Sequence, residues 1–537
     1  LSHSRWNLLP PVVDLTEGAG GYPPLLVQLL YNRGITRPED LAAFLAGDAS
    51  LMGDPRLLPG MNAAVARIYR ALLGGEQMAV YGDFDADGMT ATALLAQGLT
   101  ALGGRVVPYI PHRQTEGHGL ASAALKGLQE KGVTLVITVD CGVTDVPQVK
   151  KARQAGLDIV ITDHHSPLEE LPEAVAVVDP KLEGSAYPGT QLAGVGVAFK
   201  LLQALYGNLG RPADDVLAMT DLVAIGTIAD MSPPLGENRY LIREGLRRLN
   251  AGPRPGLREL IAQARLEEGT LNAESIGWVI APCLNAAGRL ADGLTGYNLL
   301  VTDSPDEARE LAGWLCRKNE ERQRLTATTL ARAREAVIAL GLPPLLLTAD
   351  KEYPMGIAGL VASRLVEEFY RPAIVVHTAG KVSHGSCRSI PEFDIIAALN
   401  RFGHLFTRYG GHAAAAGFTM PTEDLPRLKE GLAALVGEEL AGVELRPHLD
   451  IDMKLPLSAL GGDTFPITRR LAPFGIGNPV PVFLSEGVEV LERRTMGNGG
   501  EHLRFKLRQG GTTWDAVAFR LANHRDELSA PRLDIVY

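Results

Sequence analysis

Five short apolar runs, at 78–82, 105–110, 135–139, 158–162 and 174–178, alternate with windows of helical spacing at 90–99, 121–130 and 147–155. Runs of this length separated by helices predict a parallel sheet covered on both faces. The pattern also fixes where a ligand would lie, because parallel strands direct their carboxyl ends to one common edge. Three of the runs end directly in acidic or imidazole groups. Asp83, Asp85 and Asp87 follow the first, Asp140 follows 135–139, and Asp163-His164-His165 follows 158–162. Asp230 closes a further apolar stretch at 222–229.

Carboxylates at alternate positions 83, 85 and 87 repel one another unless a cation neutralises them. Gly88 then lets the chain turn into a helix. The spelling D-x-D-x-D-G also opens a calcium loop, but the position eleven residues after Asp83 is Leu94, not the Glu such a loop needs. One Asp at a strand end is commonly a helix cap. Groups of this kind at several strand ends converge and make a pocket. Carboxylate with some imidazole and no thiolate selects Mn²⁺ or Mg²⁺ over zinc. Five or more carboxylates are too many for one such ion, so two metals sharing a bridging Asp are expected.

The remainder of the 537 residues provides several more domains. The first 75 residues read as helical, as do 214–250 and 257–339. The helical stretch 312–338 carries six cations against three acids, which suits either a solvated face or a phosphate-facing one. Apolar runs at 345–348 and 373–377 open a second α/β unit. After Pro447, segments 480–492, 502–508 and 512–519 read as strands of a small β domain. In the middle segment Leu503, Phe505 and Leu507 alternate with Arg504, Lys506 and Arg508, an apolar face backed by a cationic one. Phe465, Phe474 and Trp514 are candidates for base stacking, although core packing is the commoner role.

The expected architecture is therefore a multidomain α/β protein. A helical segment at 1–45 precedes a parallel-sheet domain at 46–255, a long helical linker at 256–340, an α/β domain at 341–445 and a β-barrel-like domain at 446–537. An apolar fraction of 46% excludes a disordered chain. A net charge of −10 excludes whole-molecule attraction to nucleic acid, leaving local basic faces or bound cations to make any such contact. No apolar run is long enough for a membrane helix. The four cysteines form no C-x-x-C pair, which points away from zinc knuckles and towards a reducing, cytoplasmic setting. Residues 533–537 read as the middle of a strand, so the natural chain is expected to continue.

Together the motifs carry a family resemblance. Asp83-Phe84-Asp85-Ala86-Asp87-Gly88, Val139-Asp140-Cys141-Gly142, Asp163-His164-His165 and Ile225-Gly226-Thr227-Ile228-Ala229-Asp230 resemble motifs I to IV of the DHH phosphoesterases. The segment 410–418, starting Gly410-Gly411-His412, is similar to the glycine-rich motif of the DHHA1 domain. Segments 113–120 and 284–290 are similar to those of the family branch that digests single-stranded DNA from its 5′ end. Three positions differ from that branch: Cys283 stands where Arg is frequent, His118 where Tyr is frequent, and Tyr353-Pro354 near a frequent Trp-His pair.

The resemblance implies that Asp83, Asp85, Asp87, Asp140, His164 and Asp230 surround two Mn²⁺ or Mg²⁺ ions, with Asp140 bridging. It implies that His165 acts on the scissile phosphate or the leaving oxygen, with an orienting role as the alternative. Arg113, Asn285, Arg289, Ser386, Arg388, Gly410, Gly411 and His412 are the implied substrate contacts, with fixing its loop as the alternative role of Asn285. Gly410-Gly411 is expected to bring backbone close to a phosphate, aided by a following helix start. The terminal domain resembles an OB fold, with Arg504, Lys506 and Arg508 along the DNA path. The implied activity is hydrolysis of single-stranded DNA to mononucleotides in repair and recombination. Implied partners are single-strand-binding protein and a RecQ-type helicase, with no membrane. The alternatives are a DHH phosphodiesterase of short oligonucleotides or cyclic dinucleotides, an inorganic pyrophosphatase, and an inactive DNA-binding scaffold.

Overall fold

The computed structural model describes residues 4–12, 21–113, 115–497 and 499–537; Gln114 of the 113–120 segment lies outside them. Two units are distinguished. One comprises Asp54–Asp230 and Glu244–Arg446, the other Leu1–Gly53, Met231–Arg243 and Pro447–Tyr537.

The first unit opens with a parallel sheet. Strand β1 (Gln77–Tyr81) leads into helix α1 (Ala86–Ala101), then β2 (Arg105–Tyr109), β3 (Val133–Val139), β4 (Asp158–Thr162) and β5 (Ala176–Val178). The spatial order is β2-β1-β3-β4-β5 with every neighbour parallel. Helix α1 is rich in Ala and Leu on all sides and is buried along nearly its whole length. It is packed by α2 (Gly194–Asn208) and α3 (Thr220–Ala229). Gly88 makes the first turn of α1 possible, since a Cβ there would sit 2.5 Å from the Asp83 backbone N and O. That contact lays the helix start directly on the end of β1.

Helix α4 (Ala281–Leu290) and the 35-residue α5 (Pro305–Ala339) carry the chain to a second, mixed sheet. Its strands are β6 (Leu346–Asp350), β7 (Ala373–Ala379), β8 (Val382–Arg388), β9 (Arg408–His412) and β10 (Ala415–Pro421), ordered β9-β10-β8-β7-β6. Only β6 and β7 pair in parallel. Helix α6 (Ala358–Phe369) packs on β7 and β8.

One sequence expectation changes here, and one open alternative is narrowed. Gly410 and Gly411 lie within the edge strand β9, which turns back into β10, so no helix start follows them. Gly411 is required because its φ is +143° and a Cβ would lie 2.3 Å from the Ala415 carbonyl oxygen. Of the six cations of 312–338, three are engaged in ion pairs, which for them favours the solvated face. Lys318 bonds Glu321 at 2.8 Å, Arg334 bonds Glu368 at 2.5 Å, and Arg332 pairs with Glu352.

The second unit joins distant segments. The region expected to be wholly helical contributes a strand, Arg5–Leu8, paired in parallel with His448–Ile451. Helices Pro24–Tyr31 and Pro38–Ala46 follow, and their Leu26, Leu30, Leu41 and Phe44 share a core with Leu455, Leu471 and Phe483. Buried Arg239 fastens this core through the carbonyls of Phe44, Leu471 and Arg470, with its guanidinium 3.7 Å from the Phe44 ring centre. The β domain is built on one long bulged strand, Phe483–Met496, paired with Met453–Lys454, His502–Gln509 and Arg532–Val536. Thr512–Ala518 extends it beside His502–Gln509. Leu503, Phe505 and Leu507 face its core. Among the described residues, no ladder closes this sheet between Thr512–Ala518 and Arg532–Val536.

Candidate active site

The acids of the parallel sheet meet at its carboxyl edge. Asp85 caps α1, its side chain accepting from the amides of Asp87 and Gly88 at 3.0 and 3.1 Å. Asp87 accepts from Gly194 N and Val195 N at 2.7 and 2.9 Å, which seats its carboxylate on the N-terminus of α2. Gly194 also lets Asp140 approach the same helix start, since a Cβ there would lie 2.5 Å from that of Asp140. Asp140 has φ +62°, a conformation that costs a non-glycine residue about 1–3 kcal/mol and so marks a constrained position. His164 Nε2 lies 3.0 Å from Asp140 Oδ1 and 3.9 Å from Asp87 Oδ2, and its Nδ1 is 3.8 Å from Asp230 Oδ2.

Ligand atoms gather in three overlapping groups, each within 4.8 Å: Asp83, Asp85 and Asp140; Asp140, His164 and His165; and His164, Asp87 and Asp230. Burial, and after it the neighbouring acids, raise the carboxyls of Asp85, Asp87 and Asp140. Burial pushes His164 down to about 4, so its imidazole is neutral and able to ligate. Asp83 Oδ1 and His164 Nε2 are buried without a hydrogen-bond partner. Orphaned acceptors beside mutually repelling acids fit a hard divalent cation with oxygen and imidazole ligands.

Asp163 stands apart from this set. It accepts from the amides of Val143, His164 and His165 and contacts His165 Nδ1 at 2.8 Å. Burial works against the His165 imidazolium, but the Asp163 carboxylate prevails and raises it to about 9.

Sequence reasoning did not assign three of the supports found here. His118 Nδ1 lies 3.1 Å from Asp83 Oδ2, with its ring on Phe84. Arg408 donates to the His118 carbonyl at 3.1 Å, and Asp145 accepts from Leu120 N at 2.8 Å. These hold the 113–120 loop. Only the placement of Arg408 two residues before Gly410 hinted at a role, and the contact itself depends on tertiary structure.

Three guanidiniums cluster near one another, Arg113 and Arg289 within the field of Asp85 and Arg388 within that of Arg113. Arg113 lies over the Phe84 ring at 4.8 Å. Arg289 donates to Gly356 O at 3.2 Å, and Arg388 to Cys387 O at 2.7 Å. Burial, and then Arg113, Arg322 and Arg388, push Arg289 down to about 9. Among the described residues, no carboxylate pairs with any of the three within salt-bridge distance. Clustered cations with no directly paired carboxylate give this region a local positive field that an anion can use. Ser386 shares the face of β8 with Arg388 and lies opposite Gly417. Gly410 has open space around its Cα, and His412 is exposed on β9. The side-chain oxygen of Asn285 accepts from Ala86 N at 2.7 Å, tying it to the acidic loop, the loop-fixing one of its two expected roles.

In the β domain, the cationic row is partly neutralised. Arg508 pairs with Glu489 at 2.8 Å and Arg504 with Asp515 at 3.3 Å, whereas Lys506 stands between Glu492 and Asp515 in the register. Phe465 is exposed, Phe474 packs against the core, and Trp514 Nε1 donates to Leu457 O.

A parallel sheet with acids and a His-His pair at its carboxyl edge, followed by a mixed-sheet domain, defines a DHH phosphoesterase. The chain matches the DHH family N-terminal domain over 77–227, the DHHA1 domain over 337–438 and the RecJ OB domain over 451–537. It is 35% identical to the single-stranded-DNA-specific exonuclease RecJ of Dickeya dadantii, covering 94% of this chain and 91% of that one. It is 37% identical to the Bacillus subtilis protein of that name, covering 96% of this chain and 66% of that one. The crystal structure of RecJ from Thermus thermophilus in complex with Mn²⁺ superposes with a TM-score of 0.85 at 33% identity, covering all of this chain and 76% of that one. The corresponding Mg²⁺ complex gives 0.78 at 32%, covering 100% and 75%. The chain belongs to the RecJ family of single-stranded-DNA-specific exonucleases.

Proposed function

We propose that this chain is a metal-dependent exonuclease that hydrolyses single-stranded DNA from its 5′ end to mononucleotides, in DNA repair and recombination. One observation carries the reading: the three overlapping ligand groups are joined through Asp140 and His164. That chained arrangement suits two Mn²⁺ or Mg²⁺ ions with Asp140 between them. Such a pair, when bound, supplies charge neutralisation of the phosphodiester and an acidified water as nucleophile.

The chain's own residues do the remainder. Asp83 and Asp85 form one end of the ligand set, and Asp87, His164 and Asp230 the other. Asp163 engages His165 Nδ1, leaving Nε2 to face solvent or substrate as a charged donor. Nε2 then donates to the scissile phosphate or to the departing 3′ oxygen. Arg113, Ser386 and Arg388 receive the 5′-terminal phosphate, and Arg289 lies between that seat and the acids. Gly410, Gly411 and His412 border the strand's path. Arg504, Lys506 and Arg508 meet DNA further along. Single-strand-binding protein and a RecQ-type helicase are the partners expected with this activity, in the cytoplasm. No helix among the described residues is long and apolar enough to cross a membrane.

The test uses one oligonucleotide labelled at either end, with Mn²⁺. Release of labelled mononucleotide from the 5′-labelled strand at once, and from the 3′-labelled strand only at the end, supports the proposal. Release in the opposite order, or equal digestion of a blunt duplex, overturns it.

A further inference from the structure

Beyond the arginines, the face of β8 carries one more polar residue in the same row. His384, Ser386 and Arg388 alternate along the strand and are half-exposed, while Ser383, Gly385 and Cys387 are buried behind them. His384 lies directly opposite His377 on β7 and opposite Thr419 on β10. Cross-strand neighbours of this kind stand about 4.5–5.5 Å apart at Cβ, so the two imidazoles share one patch.

The two rings line a cavity of about 450 Å³ with Arg289, Leu290, Pro354, Met355, Gly356, Thr115 and Ala379. Its size falls within the range of small-ligand sites, roughly 300–1,000 Å³. The lining is mixed in a particular way. Leu290, Pro354, Met355 and Ala379 supply apolar surface. The imidazoles and Thr115 supply flat or hydrogen-bonding groups, and only Arg289 is a fixed cation. A phosphate seat would present more charge. A flat heterocycle with polar edges matches better, because stacking on apolar and aromatic groups tolerates any base. His384 Nδ1 is already held 3.2 Å from Thr419 Oγ1, which orients its ring.

We propose that the cavity framed by His377 and His384 receives the nucleobase of the 5′-terminal nucleotide. The inference rests on the reading that Arg113, Ser386 and Arg388 hold the terminal phosphate. With that phosphate on the Arg388 end of the row and the scissile phosphate at the acids, the terminal nucleoside lies between them. Its base must project to one side, and the cavity that Arg289 lines is an adjoining space able to take it. His377 and His384 are then specificity-determining residues that register the end of the strand.

The experiment compares two 5′-phosphorylated single strands that differ only at the first position, one with a base and one with an abasic tetrahydrofuran residue. The wild-type enzyme is expected to show kcat/KM about fivefold or more higher for the base-bearing end, as stacking of one base gives. In the His377→Ala/His384→Ala double variant the ratio should approach one, with both strands cleaved at the wild-type abasic rate. An unchanged ratio in the variant overturns the inference. So does an equal fall on both strands, which would place the histidines in phosphate binding or in folding. If neither strand releases a 5′ mononucleotide in the wild type, the exonuclease reading itself fails, a result distinct from a missing base preference.

Discussion

Asp163 shows how a residue can organise a site from outside its proposed ligand set. Its carboxylate accepts three amide protons and fixes His165 Nδ1, so it shapes the loop that presents both histidines. For His165 the folded value, about 9, lies above the ordinary 6.5. The pair's contribution to stability is therefore complete below about 6.5 and fades as pH rises through 9. The Asp163→Asn variant should lose activity about 10–100-fold, the usual cost of removing an outer partner. Its alkaline limb should also move from near 9 towards the ordinary histidine value. A pH-rate profile with an unshifted limb would separate His165 from the proton step. In the Asp163-His164-His165 run the resemblance already separated His164 from His165, but it gave Asp163 no part. Which of three adjacent polar groups faces the cavity depends on how the backbone leaves β4.

At the scale of elements, strands and helices followed local periodicity, and the register between them did not. The acids at the ends of β1, β3 and β4 were legible because apolar runs of period-free composition stop abruptly at charged residues. The helix start expected after Gly410-Gly411 is absent, because the sequence does not reveal that Gly410 and Gly411 pair with Gly417 and Ala416 across a hairpin. The cationic row of the β domain has the same origin. Arg504, Lys506 and Arg508 form a uniform face on one strand, but neighbouring strands bring Glu489, Glu492 and Asp515 to that face. Exposed pairs of this kind are worth only about 0–1 kcal/mol, so DNA phosphate can displace them. Lys506 is the member without a close carboxylate among the ion pairs described. Lys506→Ala should weaken single-strand binding more than Arg508→Ala and flatten the salt dependence by about one unit of slope. Binding isotherms at several salt concentrations test this. A larger effect from Arg508→Ala would show that Glu489 is released on binding.

For the whole molecule, the least legible feature is the unit formed by the first 53 residues, Met231–Arg243 and the C-terminal segment. Its core unites Leu30 with Leu455, and its buried Arg239 satisfies carbonyls from residues more than 190 positions away. No local pattern announces such pairings. The unit that carries the acid cluster was more transparent because chemistry, as well as periodicity, pointed to it. Its cost is electrostatic. With Asp85, Asp87 and Asp140 raised, the metal-free fold holds protons that the unfolded chain releases, so stability falls as pH rises above the usual carboxylate value, 3.8. Bound cations replace those protons. Mn²⁺ should therefore raise Tm more at alkaline than at acid pH, with a stabilisation of about 2.7 kcal/mol per site at a hundredfold excess over Kd. Calorimetry with and without Mn²⁺ across pH measures this, and a pH-independent increment would contradict it.

The most direct test of the account is a crystal of this protein grown with Mn²⁺ and read by anomalous scattering. Two peaks about 3.5–4 Å apart are expected, with the Asp140 carboxylate between them. A single peak, or a pair that Asp140 does not touch, would contradict the two-cation centre on which the proposed hydrolysis rests.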